Sequence, residues 1–176
     1  FDEGFSYSSN VAATILSQRL GKEKLSEYYE KFGFGKQTGI TLPEEASGTI
    51  DFNYATEIAT ASFGQGITTT PIQNIQALTT LANDGVMLKP YIISKIVDSA
   101  TKEIVYEGKR EEIGQIVKKT TTDKMKTMMH DVVYSGKTDA RYFKSNLVEV
   151  MGKTGTAQIA NPSGGGYLTG DYDYVK

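Results

Sequence analysis

Cysteine is absent from the 176-residue chain, and histidine occurs once, at His130. The lack of cysteine excludes disulfide frameworks, thiol nucleophiles and zinc–thiolate sites. One histidine leaves no histidine cluster, so we expect no metal site. We also expect no cofactor, and we expect His130 at a helix surface or boundary. The longest apolar run, residues 11–16, is far shorter than the roughly 20 residues that span a bilayer.

A strong charge of either sign is also lacking. The chain has 19 Lys and Arg against 21 Asp and Glu, a net charge of -2, without a block of like charges. Proteins that bind nucleic acids or anionic membranes need a basic face to displace counterions. We therefore expect no nucleic-acid partner. The 39% hydrophobic and 23% charged residues fit a folded chain rather than a disordered tail.

Capping and periodicity predict four helices. Residues 11–20 should form a core helix, because their apolar positions cover more than one stripe, with Asn10 as the N-cap and Gly21 as the end. Thr70 followed by Pro71 is typical of a helix start. The other three helices are predicted at residues 22–32, 71–82 and 122–134.

Extended segments follow each other in the second half of the chain. They are predicted at residues 86–88, 91–98, 103–106, 147–153 and 156–160, the last two as one long strand. A turn at 161–164 should lead to a partner strand at Tyr167, and Tyr172 and Tyr174 should lie in that strand pair. Residues 33–66 are predicted mostly as loop with short strands. The expected fold class is mixed α/β (α+β), with a helical subdomain and part of an antiparallel sheet.

Two segments share letters with a phosphate-binding loop, but neither fits it. That loop needs a glycine five residues before its Gly-Lys pair. Before Gly152-Lys153 this position is Leu147, and before Gly136-Lys137 it is Asp131. Because a GxGxxG pattern is absent as well, nucleotide binding is excluded.

Lys153-Thr154-Gly155-Thr156 instead matches the Lys-Thr-Gly box of penicillin-reactive serine enzymes. This pattern occurs by chance in about one chain of this length in a hundred, whereas Ser-x-Asn, here Ser8-Ser9-Asn10, occurs in roughly every second chain. Their order adds information, since Ser-x-Asn precedes a helix and the box lies on a late strand. The alternative is an ordinary turn on a surface hairpin.

Acyl transfer from a peptide that ends in a carboxylate explains the residue types of the box. The reaction needs a cation and hydroxyls for the carboxylate, N–H donors for the oxyanion and a proton relay. Strand alternation places Lys153 and Thr154 on opposite faces, so both serve one site only at a strand edge. Gly155, which lacks a Cβ, would let a substrate backbone approach that edge.

Five motifs in this order resemble the transpeptidase domain of class B penicillin-binding proteins. The motifs are Ser8–Asn10, Ser62–Gly66, Thr70–Gln73, Ala82–Gly85 and Lys153–Gln158. The finer likeness is to the 2X-type division transpeptidase of Gram-positive cocci. The chain departs from it at Thr154, where that type often carries serine, and over residues 107–146.

The resemblance implies a D,D-transpeptidase that cross-links peptidoglycan and is acylated by D-Ala-D-Ala stem peptides and by β-lactam antibiotics. It also implies an extracytoplasmic, membrane-anchored protein in cell-wall synthesis, cell division, cell shape and antibiotic resistance. Its implied partners are peptidoglycan stem peptides, β-lactams and, through the full-length protein, a division-associated glycan polymerase.

The same resemblance assigns roles to individual residues. Ser8 would relay a proton to the leaving group with help from Lys153, and Asn10 would orient the substrate amide and the active-site lysine. The substrate- and β-lactam-binding residues would be Thr154, Gly155, Thr156, Gln158, Gly64 and Gln65. Thr154 and Thr156 would hold the carboxylate, and the Thr156 N–H would form half of the oxyanion hole.

The nucleophile of this family belongs to a Ser-x-x-Lys motif that precedes Ser-x-Asn, so we expect it before Phe1. Residues 1–176 are then a partial transpeptidase domain that lacks this N-terminal part and the C-terminal strands and helix. One formal match, Ser99–Lys102, follows Ser-x-Asn and lies in a polar turn, so we do not expect it to be catalytic.

Two other functions remain open at this point. A non-catalytic β-lactam sensor would carry a receptor helix or linker in its flanking sequence. A serine β-lactamase would add a carboxylate or carboxylated-lysine base, and the chain offers no residue that can be named for it. Gly64-Gln65-Gly66 favours the transpeptidases.

Overall fold

The computed structural model describes residues 2–159, 161, 163–164, 166–168 and 174–175. Its helices are α1 Asp2–Ser6, α2 Asn10–Leu20, α3 Lys22–Lys31, α4 Ala55–Ala61, α5 Pro71–Ala82 and α6 Lys119–Tyr134, with a 3₁₀ helix at Asp139–Phe143. Its strands are β1 Val86–Leu88, β2 Lys95–Val97, β3 Ile104–Glu107, β4 Glu112–Gln115, β5 Ala157–Gln158 and β6 Tyr174–Val175. They pair antiparallel as β1–β4, β2–β3 and β5–β6. The predicted mixture of helices and antiparallel strands is confirmed.

The chain divides into two compact units. The first unit holds residues 1–22, 52–66 and 126–176, and the second holds residues 23–51 and 67–125. All of the candidate site residues belong to the first unit.

Helix α5 organises the second unit and starts where the sequence predicts. The Thr70 hydroxyl accepts from the Gln73 N–H at 3.3 Å, and the Gln73 side-chain oxygen accepts from the Thr70 N–H at 2.9 Å. The Gln73 amide also donates to the carbonyls of Lys36 and Ser47, both at 2.6 Å. Gln73 thus ties the preceding loop to the helix start, which explains why a polar side chain is fully buried here.

The strands of the second unit agree with the prediction in part. β1 matches its predicted segment, β2 covers only the end of residues 91–98, and β3 extends one residue beyond the predicted 103–106. The turn between β2 and β3 is confirmed, since the Asp98 carboxylate accepts from the Ala100 and Thr101 N–H groups at 2.8 Å each. β4, which pairs with β1 around the buried Met87, was not predicted.

The core of the first unit lies on the C-terminal half of α6. Val132 and Val133 are buried there together with Ala140, and Phe5 and Val150 pack against them. The two valines are therefore the residues of this helix that pack in the core. The helix begins three residues before its predicted start.

Helix α2 differs from the prediction at its start and in its burial. Its N-cap is Ser9, whose hydroxyl accepts from the Ala12 N–H at 3.2 Å, and Asn10 is already the first helical residue. The expected core helix is wrong for this structure, because Val11 is 69% and Ile15 44% exposed. Apolar residues surround the helix, but only one side packs, against α1 and α4.

The expected long strand over residues 147–153 and 156–160 is also wrong, apart from β5. The N–H groups of Leu147 and Val148 donate to the Ser145 hydroxyl, and that of Gly152 donates to the Met129 carbonyl of α6. A segment whose donors bind a side chain and a helix cannot form a strand ladder. Ala160 lies outside the described residues.

The prediction of mostly loop over residues 33–66 is confirmed, although a short helix rather than short strands interrupts the loop. Residues 33–66 contain helix α4, which begins where the Glu57 carboxylate accepts from the Asn53 and Tyr54 N–H groups. Within this loop, the Glu45 carboxylate accepts hydrogen bonds from Thr38 and Gly39. Burial tends to raise the pKa of Glu45, but these hydrogen bonds outweigh burial and lower it.

Candidate active site

Ser8 lies in the short link between α1 and α2, where the chain turns sharply. Its N–H donates to the Phe5 carbonyl at 3.1 Å, and its φ of 54° is left-handed, which is uncommon for a serine. The next residue, Ser9, then caps α2. Holding a non-glycine residue in this region costs free energy, and such residues are concentrated at functional sites.

The Lys153 ammonium donates a hydrogen bond to the Ser8 hydroxyl. It also reaches the Thr154 carbonyl at 3.1 Å and the Thr154 hydroxyl at 3.4 Å, and it lies 5.9 Å from the centre of the Phe5 ring. Burial lowers the pKa of Lys153 from its ordinary value of 10.5. A lysine with a lowered pKa beside a serine hydroxyl is suited to proton relay.

The backbone of the Lys-Thr-Gly box leaves room for a substrate backbone at Gly155, as the sequence suggests. Thr154, Gly155 and Thr156 are exposed, and a Cβ at Gly155 would meet no atom within 4 Å. The strand alternation expected for Lys153 and Thr154 is wrong, because neither residue lies in a strand. Both nevertheless face one site, since the lysine bends back onto the Thr154 hydroxyl.

After the box the chain forms the expected hairpin. In β5, Gln158 pairs with Tyr174, and beyond it the Leu168 N–H donates to the Ile159 carbonyl at 2.9 Å. The turn closes with the Asn161 N–H donating to the Gly166 carbonyl at 2.9 Å. The predicted turn is confirmed for its described residues, whereas Pro162 and Tyr172 lie outside them.

The Gly64–Gly66 loop, which follows α4, meets this hairpin. Gly64 and Gly66 have φ of 85° and 73°, values that favour glycine, and the Gly66 N–H donates to the Tyr167 hydroxyl at 3.2 Å. The Gln65 side-chain oxygen is buried and accepts no hydrogen bond from the part of the chain that the structure describes. Its hydrogen-bonding capacity is therefore unused within these residues.

The structure thus brings most of the candidate residues together in the first unit. Ser8, Lys153 and Thr154 are in direct contact, and Tyr167 joins the Gly64–Gly66 loop to the hairpin that follows the box. Asn10 is exposed on the first turn of α2, and its side chain makes no hydrogen bond to another described residue.

Sequence reasoning missed Phe5 and the role of Tyr167. Phe5 gave no signal, because its place beside Lys153 depends on the turn after α1. Tyr167 was expected beside the site, but its bond to Gly66 spans 101 positions of the chain and cannot be read from local pattern.

Other kinds of site find no support within the described ranges. Residues 2–159 and the shorter described stretches hold no group of three or more metal-ligating side chains. The same part of the chain contains no helix that is both long and apolar enough to cross a membrane. Ser99, the formal Ser-x-x-Lys match, lies in the exposed turn between β2 and β3 of the second unit.

Comparison with known proteins identifies the family. The family model of the penicillin-binding protein transpeptidase domain matches residues 1–175. The chain belongs to this family. Stage V sporulation protein D of Bacillus subtilis is 37% identical over 154 residues, which are 86% of this chain and 24% of that protein. The chain therefore spans about a quarter of the length of this relative.

Solved structures of the family superpose on the chain over nearly its whole length. Penicillin-binding protein 2X of Streptococcus thermophilus has a TM-score of 0.87 and 32% identity, covering 97% of this chain and 26% of that one. Penicillin-binding protein 3 of Mycobacterium tuberculosis, complexed with ampicillin, has a TM-score of 0.85 and 31% identity, covering 96% and 38%. The expected fold is confirmed as part of the penicillin-binding transpeptidase fold.

Proposed function

We propose that this chain is the part of a serine-type D,D-transpeptidase that carries the proton relay and the carboxylate-binding segment of the active site. The observation that carries this proposal is the hydrogen bond from Lys153 to Ser8, which joins two motifs 145 positions apart. Family membership supports it, as does the ampicillin complex of penicillin-binding protein 3.

In the proposed reaction, the serine of the expected upstream Ser-x-x-Lys motif attacks the carbonyl between the two D-alanines of a stem peptide, and the lysine of that motif takes the serine proton. The electron pair of the C=O moves to oxygen, and the Thr156 N–H donates to that oxyanion. Ser8 then gives its proton to the leaving D-alanine nitrogen, and Lys153 replaces the proton on Ser8. An amine of a second stem peptide then attacks the ester carbonyl, the C–O bond to the serine breaks, and the amine gives up a proton as the serine oxygen regains one.

The remaining residues bind the substrate in this proposal. The Lys153 charge and the hydroxyls of Thr154 and Thr156 hold the terminal carboxylate, while Asn10 orients the amide and the active-site lysine. Gly155 lets the substrate backbone approach, next to Gln158, Gly64 and Gln65. A β-lactam enters the same path, except that its amide nitrogen stays attached through the opened ring.

The setting of the full-length protein is part of the proposal. Peptidoglycan stem peptides lie outside the cytoplasm, so we place the reaction at the extracytoplasmic face of the bacterial membrane, with a division-associated glycan polymerase as partner. The absence of a basic face from the composition agrees with a peptide substrate rather than a polyanion.

Intact-mass spectrometry after incubation with excess benzylpenicillin tests the proposal. We compare the 176-residue chain with a version extended upstream through the expected Ser-x-x-Lys motif. The extended version should gain one penicilloyl group and the short chain none. A stoichiometric adduct on the short chain would contradict the proposal and direct attention to Ser99. Loss of the adduct within minutes would instead indicate a β-lactamase.

The relay itself is tested by Lys153→Ala in the extended version. Acylation should slow by about 10²- to 10⁴-fold, as expected for removal of a positioned proton donor. The matched control is Lys118→Ala, which removes an exposed lysine of the second unit and should leave the rate unchanged. Equal rates for the two variants would remove Lys153 from the mechanism.

A further inference from the structure

Tyr134, the last residue of α6, binds the segment that leads to Lys153 at two points. Its hydroxyl donates to the Ser145 carbonyl at 3.4 Å and accepts from the Val150 N–H at 3.3 Å. A phenol that uses both its donor and its acceptor on one backbone segment fixes that segment in two places. The hydroxyl therefore fastens residues 145–150 to the end of the helix.

The same segment meets α6 again just before the candidate site. The Gly152 N–H donates to the Met129 carbonyl at 3.3 Å, and Lys153 follows directly. His130 lies between these attachments, with its ring stacked on Tyr134 at 4.4 Å and its Nε2 3.6 Å from the Glu149 carboxylate. Residues 145–152 thus run along one helix and are held at several places.

These hydrogen bonds to α6 largely determine where Lys153 lies, because strand pairing does not hold this segment. Residues 145–156 form neither a helix nor a strand. Val150 packs against Val132 and Val133 of the core. This packing restrains the Val150 side chain, whereas the hydrogen bonds set the direction of the backbone. A shift of residues 145–152 would therefore move Lys153 away from Ser8.

We propose that Tyr134 is a positioning residue whose hydroxyl sets the place of Lys153 against Ser8. The inference rests on the proposed function, since it adds a residue to the same site. The ring of Tyr134 has its own contacts with the core and with His130, and these do not need the hydroxyl. Tyr134→Phe consequently removes the two backbone attachments and keeps the packing.

The test measures the titration of Lys153 without relying on activity. In the version extended upstream, competitive acetylation followed by peptide mapping gives the pKa of Lys153. Tyr134→Phe should raise that pKa toward 10.5, because a displaced lysine loses the burial that lowers it. The control is Tyr142→Phe, which removes the hydroxyl of a tyrosine that is 76% exposed and should leave the pKa of Lys153 unchanged.

A second readout follows penicillin acylation against pH. Tyr134→Phe should slow acylation by about 10- to 100-fold, as a small misplacement of a reacting group does, and should shift the alkaline limb upward. An unchanged Lys153 pKa, or a variant that no longer folds, would overturn the positioning role. If Lys153 titrates as expected but no variant is acylated, the positioning role stands and the proposed function fails.

Discussion

At the scale of single residues, the site combines a strained serine with a lysine whose charge is partly withdrawn from water. Ser8 has a left-handed φ of 54°, and burial lowers the pKa of Lys153. The left-handed backbone of Ser8 and the partly buried charge of Lys153 each cost free energy. Together they place a hydroxyl against an ammonium. Such local costs are expected where geometry serves chemistry more than stability.

Replacing the lysine should therefore stabilise the protein at neutral pH. A lowered pKa means that the folded state disfavours the charged lysine, so the cost is fully present below the lowered pKa and disappears as pH rises toward 10.5. Lys153→Met should raise the free energy of unfolding at pH 7 by up to about 1 kcal/mol after solvent screening. Thermal melting of the version extended upstream, at pH 7 and pH 10, measures the difference between the variant and the parent.

Melting at two pH values distinguishes removal of the buried Lys153 charge from better apolar packing by the methionine. The gap in melting temperature should narrow between pH 7 and pH 10, because the parent lysine loses its charge more readily when folded. A gap of the same size at both pH values would show that the methionine acts through apolar contact alone.

At the scale of elements, prediction succeeded for the start of α5, but it missed two other local caps, Ser9 at α2 and the Glu57 carboxylate at α4. The start of α5 needs only Thr70, Pro71 and Gln73, which are adjacent in the chain. The segment before Lys153 has apolar residues like a strand, yet its N–H groups bind Ser145 and α6. The pattern could not show this, because apolar alternation reports burial and not the hydrogen-bond partner.

The start of α2 offers a test that separates stability from function. Ser9→Ala should cost about 1 kcal/mol, since it removes the acceptor of the Ala12 N–H. Asn10→Ala should change the free energy of unfolding by less than about 0.5 kcal/mol, because Asn10 is exposed. Chemical denaturation of both variants of the extended version measures these costs.

Penicillin acylation should rank the two variants in the opposite order. Asn10→Ala should slow acylation, because Asn10 is proposed to orient the substrate and the active-site lysine. Folded Ser9→Ala should react at nearly the parent rate. If Asn10→Ala were the more destabilising variant, the assignment of Ser9 as the cap would be wrong.

At the scale of the whole molecule, many large apolar side chains face solvent. They include residues of α2 and of the β2–β3 pair, namely Val11, Ile15, Leu20, Ile96, Ile104 and Val105. A two-stranded sheet that is apolar and uncovered is marginal by itself. The 176 residues are also only about a quarter of the length of a relative such as Stage V sporulation protein D.

We therefore expect the isolated 176-residue chain to be weakly stable and prone to aggregate. Its thermal transition should be broad and should lie below the roughly 45–65 °C of mesophile domains. Calorimetry and binding of a hydrophobic dye, beside the version extended upstream, measure this. A sharp, cooperative transition of the short chain above that range would contradict the expectation.

The sequence by itself determined the family, the locally capped helix α5 and the two motifs that meet in the site. The helix follows from capping residues that lie within a few positions of each other. The family and the motifs follow from residue types and their order along the chain. Only the tertiary structure decided that Ser9 caps α2, that residues 145–152 follow α6 and that Tyr167 binds Gly66. In each of these contacts a backbone N–H group needs an acceptor once the chain is folded. Which acceptor it meets is decided by residues distant in sequence or by the local backbone geometry.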